Sequence, residues 1–222
     1  MEIRILSVGG SIICPDEIDY FFLKKFKQLI LERNERFVIF SGGGKLSAEY
    51  ITAAKRVSDI SRDNLDWLGI MATRLNAELV RCIFGDYAHQ KVIYNPNEKI
   101  KTSKRIIIAA GWKPGWSTDY DAVLMAKQMK SKEILNLTNI KYVFNKDPRK
   151  HSDAEPLRSL TWKQYRKIIG SKWSPRLSTP FDPIASREAE KQNIKVVILK
   201  GTDLDNLENY MDSKQFEGTV IE

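Results

Sequence analysis

Apolar and polar positions follow two alternating patterns along the chain. Short runs rich in isoleucine and valine, typical of buried strands, alternate with longer segments in which apolar residues recur every three or four positions, typical of amphipathic helices. The strands predicted in this way cover residues 3–8, 36–40, 105–109, 133–137 and 195–199. The predicted helices cover residues 20–33, 45–57, 65–82, 120–129, 162–169 and 184–191. Alternation of this kind indicates βαβ units built around a mostly parallel sheet.

Two segments carry neither pattern. Residues 144–157, which include Lys146-Asp147-Pro148, show no periodicity and are predicted to form a long functional loop or lid. Residues 170–180 are predicted to form a second such loop. Because the chain has no internal repeat and no low-complexity linker, we expect one compact domain over residues 1–222, with a nucleotide lobe in its C-terminal half.

Three of the predicted strands run directly into glycine-rich turns. These turns are Gly9-Gly10-Ser11, Gly42-Gly43-Gly44-Lys45 and the segment 111–115. Ligands of open α/β sheets collect beyond the carboxyl ends of the strands, and glycines there let backbone N–H groups approach an anion. One such turn is ordinary turn chemistry, but three on one sheet edge favour a site for two phosphorylated ligands. None is a P-loop or a dinucleotide-binding turn, so another phosphotransferase architecture is needed.

Composition narrows the class of protein. The 222 residues are 42% hydrophobic, which is enough for a substantial core, and the net charge of +8 is spread over many segments. The dispersed charge makes nucleic acid an unlikely partner and suits polyanionic substrates. No secretory leader and no apolar run of about 20 residues is evident, so we expect a cytoplasmic enzyme without a membrane partner.

The few cysteines and histidines offer no metal site. Cys14 and Cys82 lie far apart and match neither a disulfide framework nor metal-ligand spacing. His89 and His151 lie in polar surroundings without a partner motif, which argues against zinc or a histidine-based mechanism.

Taken together, the turns and their neighbours resemble the amino-acid-kinase superfamily, and within it the archaeal uridylate kinases. The resemblance is collinear over nearly the whole chain. It rests on Gly9-Gly10-Ser11, Gly42-Gly43-Gly44-Lys45-Leu46, Glu49-Tyr50-Ile51, Asp66, Gly69-Ile70, Thr73-Arg74, Asn76-Ala77, Gly111, Pro114-Gly115, Thr118-Asp119, Ala122, Thr138-Asn139, Val143, Asp147-Pro148, Asp182-Pro183 and Gly218-Thr219-Val220-Ile221.

The resemblance implies a fold and an activity. The fold is an α/β three-layer αβα sandwich with a mostly parallel central sheet, whose acceptor-binding half covers about residues 1–130 and whose ATP-binding half covers about residues 131–222. The activity is direct transfer of the γ-phosphate of MgATP to UMP, giving UDP in pyrimidine nucleotide biosynthesis. Mg²⁺ would arrive with ATP, without a dedicated protein metal site, and the assembly would be a homo-oligomer, a hexamer by resemblance.

The resemblance also implies which residues form the site. The residues expected to contact ATP are Gly9, Gly10, Ser11, Gly44, Thr118, Asn139, Phe144 and Asp147. Those expected to hold UMP are Gly43, Asp66, Thr73, Trp112, Lys113, Pro114, Gly115, Trp116, Ser117 and Thr118. Phosphoryl transfer needs positive charge and N–H donors around the moving group. Lys45 is the candidate cation, and Asp119 the carboxylate that orients Lys45 or the magnesium shell.

Each of these charged residues also has a structural interpretation. Lys45 could be a solvated first-turn lysine, although a cation at a helix start opposes the helix dipole and favours a nearby anion. Asp119 could cap its helix, a role compatible with catalysis. Asp66, without the family match, would be a first-turn helix acid.

Departures from the family pattern leave the acceptor open. Many superfamily members carry a lysine where this chain has Ser7, but the archaeal uridylate kinases also lack that lysine. An arginine is usual in the family where this chain has Ala48. Lys141-Tyr142 stands where Asp-Gly is usual in the nucleotide loop. Lys113, between two tryptophans, is the candidate to replace the lost arginine charge.

Two other functions remain open at this point. One is a related small-molecule kinase with a carboxylate or phosphate acceptor. The other is a non-catalytic protein of the same fold that binds nucleotide or nucleic acid. Retention of Lys45, Thr118 and Asp119 together argues against the second.

Overall fold

A computed structural model describes residues 3–170 and 179–222. Its strands are β1 (Ile3–Val8), β2 (Arg36–Ser41), β3 (Ile106–Ala109), β4 (Glu133–Thr138), β5 (Val143–Phe144), β6 (Pro156–Leu157), β7 (Ser159–Leu160), β8 (Lys195–Lys200) and β9 (Thr219–Ile221). Its helices are α1 (Gly10–Ile13), α2 (Tyr20–Glu32), α3 (Gly44–Val57), α4 (Arg62–Phe84), α5 (Thr118–Met129), α6 (Trp162–Ile169), α7 (Pro183–Lys191) and α8 (Leu204–Met211).

Seven of the described strands form one sheet in the order β3-β2-β1-β4-β8-β9-β7. Every neighbouring pair in it is parallel except β8 and β9, which are antiparallel. In the centre of the sheet Ile5 of β1 lies opposite Val38 of β2 on one side and Ile134 of β4 on the other. The predicted mostly parallel sheet is therefore confirmed.

Helices cover both faces of this sheet. Helices α1, α2, α4 and α8 contribute to one core, which Leu6 and Phe37 join from the strands. Helices α5, α6 and α7 contribute to a second core with Ile5 and Val38. Neighbouring strand residues enter different cores because side chains alternate between the faces of a strand. Since both faces are buried, the strands appear in the sequence as continuous apolar runs, and the three-layer sandwich is confirmed.

The predicted elements differ from the observed ones mainly at their ends. Helix α4 begins at Arg62, three residues before the predicted start, because the Ser61 hydroxyl accepts a hydrogen bond from the backbone N–H of Asn64 and caps the helix. Helices α1 and α8 and strands β5, β6, β7 and β9 were not predicted. Each has eight residues or fewer, so periodicity carries little information about it.

The first predicted loop is closed at its base. Val143 pairs with Leu157 and Phe144 with Pro156, so residues 143–157 form a hairpin whose two strands have two residues each. Of the second predicted loop, residues 171–178 lie outside the described residues. Among the helices that are described, none has both the length and the apolar character needed to cross a membrane.

Candidate active site

A cleft of about 560 Å³ opens at the carboxyl edge of the parallel strands. The turns that follow β1, β2 and β3 meet there, because parallel strands place their carboxyl ends on one edge of a sheet. The cleft lining includes Ser11 from the first turn, Gly44 from the second and Gly111 from the third. Helix α4 contributes Asp66. Thr118 and Asp119 at the start of α5 complete one wall. The three predicted turns therefore do meet at one cleft.

The first two glycine turns pack directly on each other. A Cβ atom at Gly10 would lie 2.0 Å from the backbone nitrogen of Gly44, and one at Gly42 would lie 2.4 Å from the nitrogen of Gly10. Gly44 also has a φ of 56°, which favours glycine. These glycines are thus required by the contact between the two turns, a reason that the sequence did not reveal.

Some backbone donors of these turns are already used, whereas others remain available. The N–H of Gly9 donates to the Leu137 carbonyl at 2.8 Å, so it is not available to a phosphate. Among the described residues, the N–H groups of Gly10, Ser11 and Gly44 have no backbone acceptor. They lie at the first residues of α1 and α3, where N–H groups commonly bind anions.

The third turn, residues 111–117, is held by side chains of helix α4. The Thr73 hydroxyl accepts a hydrogen bond from the N–H of Gly111 at 2.9 Å. The Arg74 guanidinium donates to the carbonyls of Gly111 and Trp112 at 3.3 and 2.9 Å. Thr73 was predicted to bind UMP, but its hydroxyl proton is already used, since the hydroxyl donates to the Ile70 carbonyl at 2.7 Å.

Two carboxylates complete the anchoring of this turn. Asp66 Oδ2 accepts a hydrogen bond from the N–H of Gly115 at 2.8 Å. Asp121 Oδ2 accepts one from the N–H of Trp112 at 3.0 Å. Four side chains from α4 and α5 therefore define the shape of the turn before any ligand arrives.

Asp119 is a buried carboxyl group in the cleft wall. Its Oδ1 accepts a hydrogen bond from the Ser7 hydroxyl at 3.3 Å, and its Oδ2 accepts one from the N–H of Asp182 at 3.0 Å. Burial of the carboxyl group, together with the negative charge of Asp182, raises the pKa of Asp119 to about 7. A carboxyl group with this pKa exchanges its proton near neutral pH, as a group in a reacting site often does.

Asp121 is the second carboxyl group with an altered pKa. Burial raises its pKa to about 7, although the Trp112 N–H and the charges of Lys113 and Arg74 act in the opposite direction. Among the described residues its Oδ1 has no hydrogen-bond partner. Asp121 was not a predicted site residue. One signal could have found it: an acid four residues before buried Met125 lies on the apolar face of the predicted helix.

The carboxylates of the cleft bear on how Mg²⁺ would be held. Asp119 and Asp182 line the cleft and carry the hard oxygen ligands that Mg²⁺ prefers. Across residues 3–170 and 179–222 no group of three or more His, Cys, Asp or Glu side chains is arranged to hold a metal ion. The carboxylates of Asp119 and Asp182 fit a Mg²⁺ ion that is bound by one or two protein carboxylates together with substrate phosphates.

Comparisons with known proteins identify the family of this chain. The model of the amino acid kinase family matches residues 2–200. The chain belongs to the amino acid kinase family. It is 32% identical over 227 residues to a uridylate kinase of Methanoregula boonei, covering 100% of this chain and 96% of that protein. A uridylate kinase of Sulfurisphaera tokodaii is 30% identical over 223 residues and 98% of both chains. The crystal structure of uridylate kinase from Archaeoglobus fulgidus superposes with a TM-score of 0.84 at 30% identity, over 100% of each chain.

Within this member of the family, the cleft gathers part of the predicted site. The predicted residues that line it are Ser11, Gly43, Gly44, Asp66, Thr73, Trp116, Ser117, Thr118 and Asp119. Gly9, Gly10, Trp112, Pro114 and Gly115 lie in the adjoining turns rather than in the lining. The roles in binding ATP or UMP remain predictions for all of them.

Lys45 lies at the start of α3 but is paired away from the cleft lining. Its ammonium group forms a salt bridge of 2.7 Å with Asp16, and Glu49 lies 3.9 Å away. The hydrogen bond and charge of Asp16 raise the pKa of Lys45, which keeps it cationic. Exposed salt bridges contribute little stability, so exchange of Asp16 for a phosphate would cost little.

The remaining predicted residues lie outside the cleft. Lys113 lines a different cavity, where its ammonium group lies 4.2 Å and 4.5 Å from the ring centroids of Trp112 and Trp116. Asn139 is exposed after β4. Asp147, beyond Phe144 in the hairpin, accepts hydrogen bonds from the Arg149 guanidinium at 3.0 and 3.1 Å.

Proposed function

We propose that this protein transfers the γ-phosphoryl group of MgATP to UMP, giving UDP. One observation carries the proposal. A cleft with unused glycine N–H donors faces a buried carboxyl group. The chain that forms it is 30–32% identical to uridylate kinases over 98–100% of its length. N–H donors and a carboxylate at the sheet edge suit a reaction in which the enzyme aligns phosphates and stabilises their charge.

We assign the two substrates to different sides of the cleft. UMP would lie against α4 and the 111–117 turn, in the half formed by about residues 1–130. ATP would lie against the ends of β4 and β8 and the 143–157 hairpin, in the half formed by about residues 131–222. Asp66 supports this assignment because its carboxylate lines the cleft and uses only one described oxygen contact, to Gly115. Its other oxygen can accept a ribose hydroxyl.

The charged groups would act in sequence. The N–H groups of Gly10 and Gly44 hold phosphate oxygens, and Lys45 leaves Asp16 to balance the transferring phosphoryl group. Asp119 orients the cation and the phosphates from the cleft wall. When bound with ATP, Mg²⁺ supplies positive charge to the phosphate oxygens, with Asp119 and Asp182 as the protein carboxylates able to hold it. In this arrangement the acceptor phosphate acts as the nucleophile without a covalent enzyme intermediate.

The acceptor can be identified by one assay. ADP release is measured with MgATP and, in separate reactions, UMP, CMP, dUMP, glutamate and aspartate. We expect UMP to give a kcat/KM at least about tenfold above every other acceptor, which is about 1.4 kcal/mol of discrimination. Faster turnover of a carboxylate would instead place the protein among the carboxylate kinases of its family. No ADP release with any acceptor would favour a non-catalytic nucleotide-binding role.

We also propose that the protein forms a homo-oligomer, a hexamer by the resemblance, in the cytoplasm where its substrates are made. Trp67, Met71 and Leu75 of α4 are spaced by four residues and are all exposed, with 41%, 56% and 62% of their surface accessible. A stripe of this kind on one helix face is typical of a subunit contact. Light scattering should give a multiple of the 25.6 kDa chain mass, and Leu75→Glu should reduce that multiple. A monomer at all concentrations would contradict the assembly.

A further inference from the structure

A second cavity, of about 540 Å³, lies behind the 111–117 turn. Its walls come from α4, through Trp67 and Arg74, from the segment of residues 89–98, and from Trp112 and Lys113 of the turn. Trp116 and Gly111 of the same turn line the cleft on the other side. The turn is therefore a partition between two cavities, and this volume lies in the range that holds small-molecule ligands.

Positive charge dominates the second cavity. Arg74, Lys91 and Lys113 line it, whereas Glu98 is its single lining carboxylate. Among the described residues, neither Lys91 nor Lys113 forms a salt bridge. Like charges gathered around one concave surface repel each other unless an anion lies among them. The charge of the lining thus matches a ligand with at least two negative charges.

Aromatic rings hold two of these cations in place. The Arg74 guanidinium carbon lies 4.1 Å from the ring centroid of Tyr94 and 5.5 Å from that of Trp67. The Lys113 ammonium lies over Trp112 and Trp116. Cation–π contacts fix the side chains without neutralising them, so their charge remains available to an anion. A preorganised cation also loses less conformational entropy when a ligand binds.

We propose that this cavity binds an oligophosphate anion and that its occupancy changes the affinity of the cleft for the acceptor. The coupling rests on the proposed function, whereas the binding does not. Phosphate is favoured over carboxylate because a short chain of phosphates presents several charged oxygens to the three cations of one cavity, and each oxygen can accept a charge-assisted hydrogen bond.

The turn supplies a physical route for the coupling. Arg74 donates to the carbonyls of Gly111 and Trp112, and Asp121 holds the Trp112 N–H from the other side. An anion that binds the Arg74 guanidinium would compete with these two carbonyls for its N–H donors and so move the turn, whose residues Gly111 and Trp116 line the cleft.

Direct binding tests the site independently of catalysis. Inorganic tripolyphosphate is titrated by calorimetry into protein whose cleft is saturated with UMP and a non-hydrolysable ATP analogue. We expect one further binding event per chain, weakened at least about tenfold in Lys91→Ala/Lys113→Ala. The control, Lys99→Ala/Lys101→Ala, removes the same charge from exposed lysines of the neighbouring segment and should bind as the parent does. No further event, or equal weakening in both double variants, would overturn the proposal.

Two further measurements test which ligand binds the cavity and whether its binding changes the KM for UMP. CTP replaces tripolyphosphate in the same titration: tighter binding would show that a base stacks in the cavity, and equal binding that the phosphates suffice. Tripolyphosphate at saturation should change the KM for UMP at least about threefold in the parent and in the Lys99/Lys101 control, but not in Lys91→Ala. Binding without any change in KM would overturn the coupling. If the protein does not act on UMP, the acceptor assay fails, whereas the difference between the two double variants in the tripolyphosphate titration remains, because it does not depend on turnover of UMP.

Discussion

The 111–117 turn, proposed to bind UMP, and the 143–157 hairpin, proposed to bind ATP, are held in different ways. Four side chains from two helices bind backbone groups of the turn. The hairpin is closed by two strands of two residues each, and its tip is organised by an exposed pair, Asp147 with Arg149. The hairpin is anchored at its base, where the Val143 N–H donates to the Thr219 hydroxyl and Val143 packs in the second core, but its tip has no such anchor among the contacts of the described residues.

The difference indicates how each substrate would be recognised. Backbone held by buried side chains keeps its shape without ligand, so the acceptor side is preorganised and can discriminate by shape. The tip of the hairpin, where residues 148–153 are exposed, has few buried contacts, and a segment of this kind opens easily and becomes ordered when it gains a ligand. We therefore expect acceptor specificity to depend on the turn, and the hairpin to act by closing on ATP.

Asp119 gives the largest expected effect, because it lies in the cleft wall that both substrates share. Asp119→Asn should lower kcat at least about a hundredfold with smaller changes in both KM values, since it removes a charge that acts during transfer. Steady-state kinetics measure kcat and both KM values, and the control is Asp63→Asn, which changes an exposed helix residue. A kcat within about threefold of the parent would reduce Asp119 to a structural role.

A substitution of Asp66 tests whether UMP binds against the 111–117 turn. Asp66→Ala removes both the anchor of Gly115 and the oxygen proposed to accept a ribose hydroxyl. The KM for UMP should rise about tenfold, while the KM for ATP should stay within about twofold. Asp63→Ala, three residues before Asp66 in the first turn of α4, should change neither. Equal increases in both KM values would contradict a specific role in binding UMP.

A pair of arginines compares the two regions directly. Arg74→Ala leaves two backbone carbonyls of the turn without their donor, so it should lower the free energy of unfolding by about 1–3 kcal/mol and raise the KM for UMP. Arg149→Ala removes only an exposed partner of Asp147, so Tm should remain near that of the parent. Thermal unfolding of both variants measures the difference. Comparable losses of Tm would contradict the distinction between the regions.

The two buried carboxyl groups should make stability depend on pH. The pKa values of Asp119 and Asp121 rise from 3.8 to about 7 on folding, so between these values the folded state holds protons that the unfolded state has lost. Their contribution to stability therefore falls as pH rises from about 4 to about 7 and is constant above that range. Asp121→Asn should gain Tm relative to the parent as pH increases from 5 to 7.5. A constant difference would show that the Asp121 pKa is not raised.

The smallest effect should appear in the hairpin. Asp147→Ala should raise the KM for ATP only about threefold, because the carboxylate is one contact in an exposed segment. Hydrogen exchange gives a more direct measure. ATP should slow exchange of residues 143–148, whereas the N–H groups of Gly111, Trp112 and Gly115 should exchange slowly even without ligand. Fast exchange in the empty turn would remove the basis of the comparison.

Much of the fold could be predicted from the sequence alone. The strands from 3–8 to 195–199 were found because a sheet covered on both faces needs continuous apolar runs, and the long helices because one face of each must be apolar. The glycine turns followed the strands, so their meeting at one edge also followed from parallel order. The candidate carboxylates Asp66 and Asp119 were identified through the family resemblance, and both lie in the cleft.

Tertiary structure decided what these residues touch. No local pattern shows that Gly10 packs against Gly44, that Arg74 and Asp121 hold Trp112, that Lys45 pairs with Asp16, or that Lys113 lies in a second cavity. Periodicity records which face of an element is buried, and motifs record which chemistry is present. The partner of a polar group depends on distances between elements that are far apart in the chain, and these distances are set only when the layers pack.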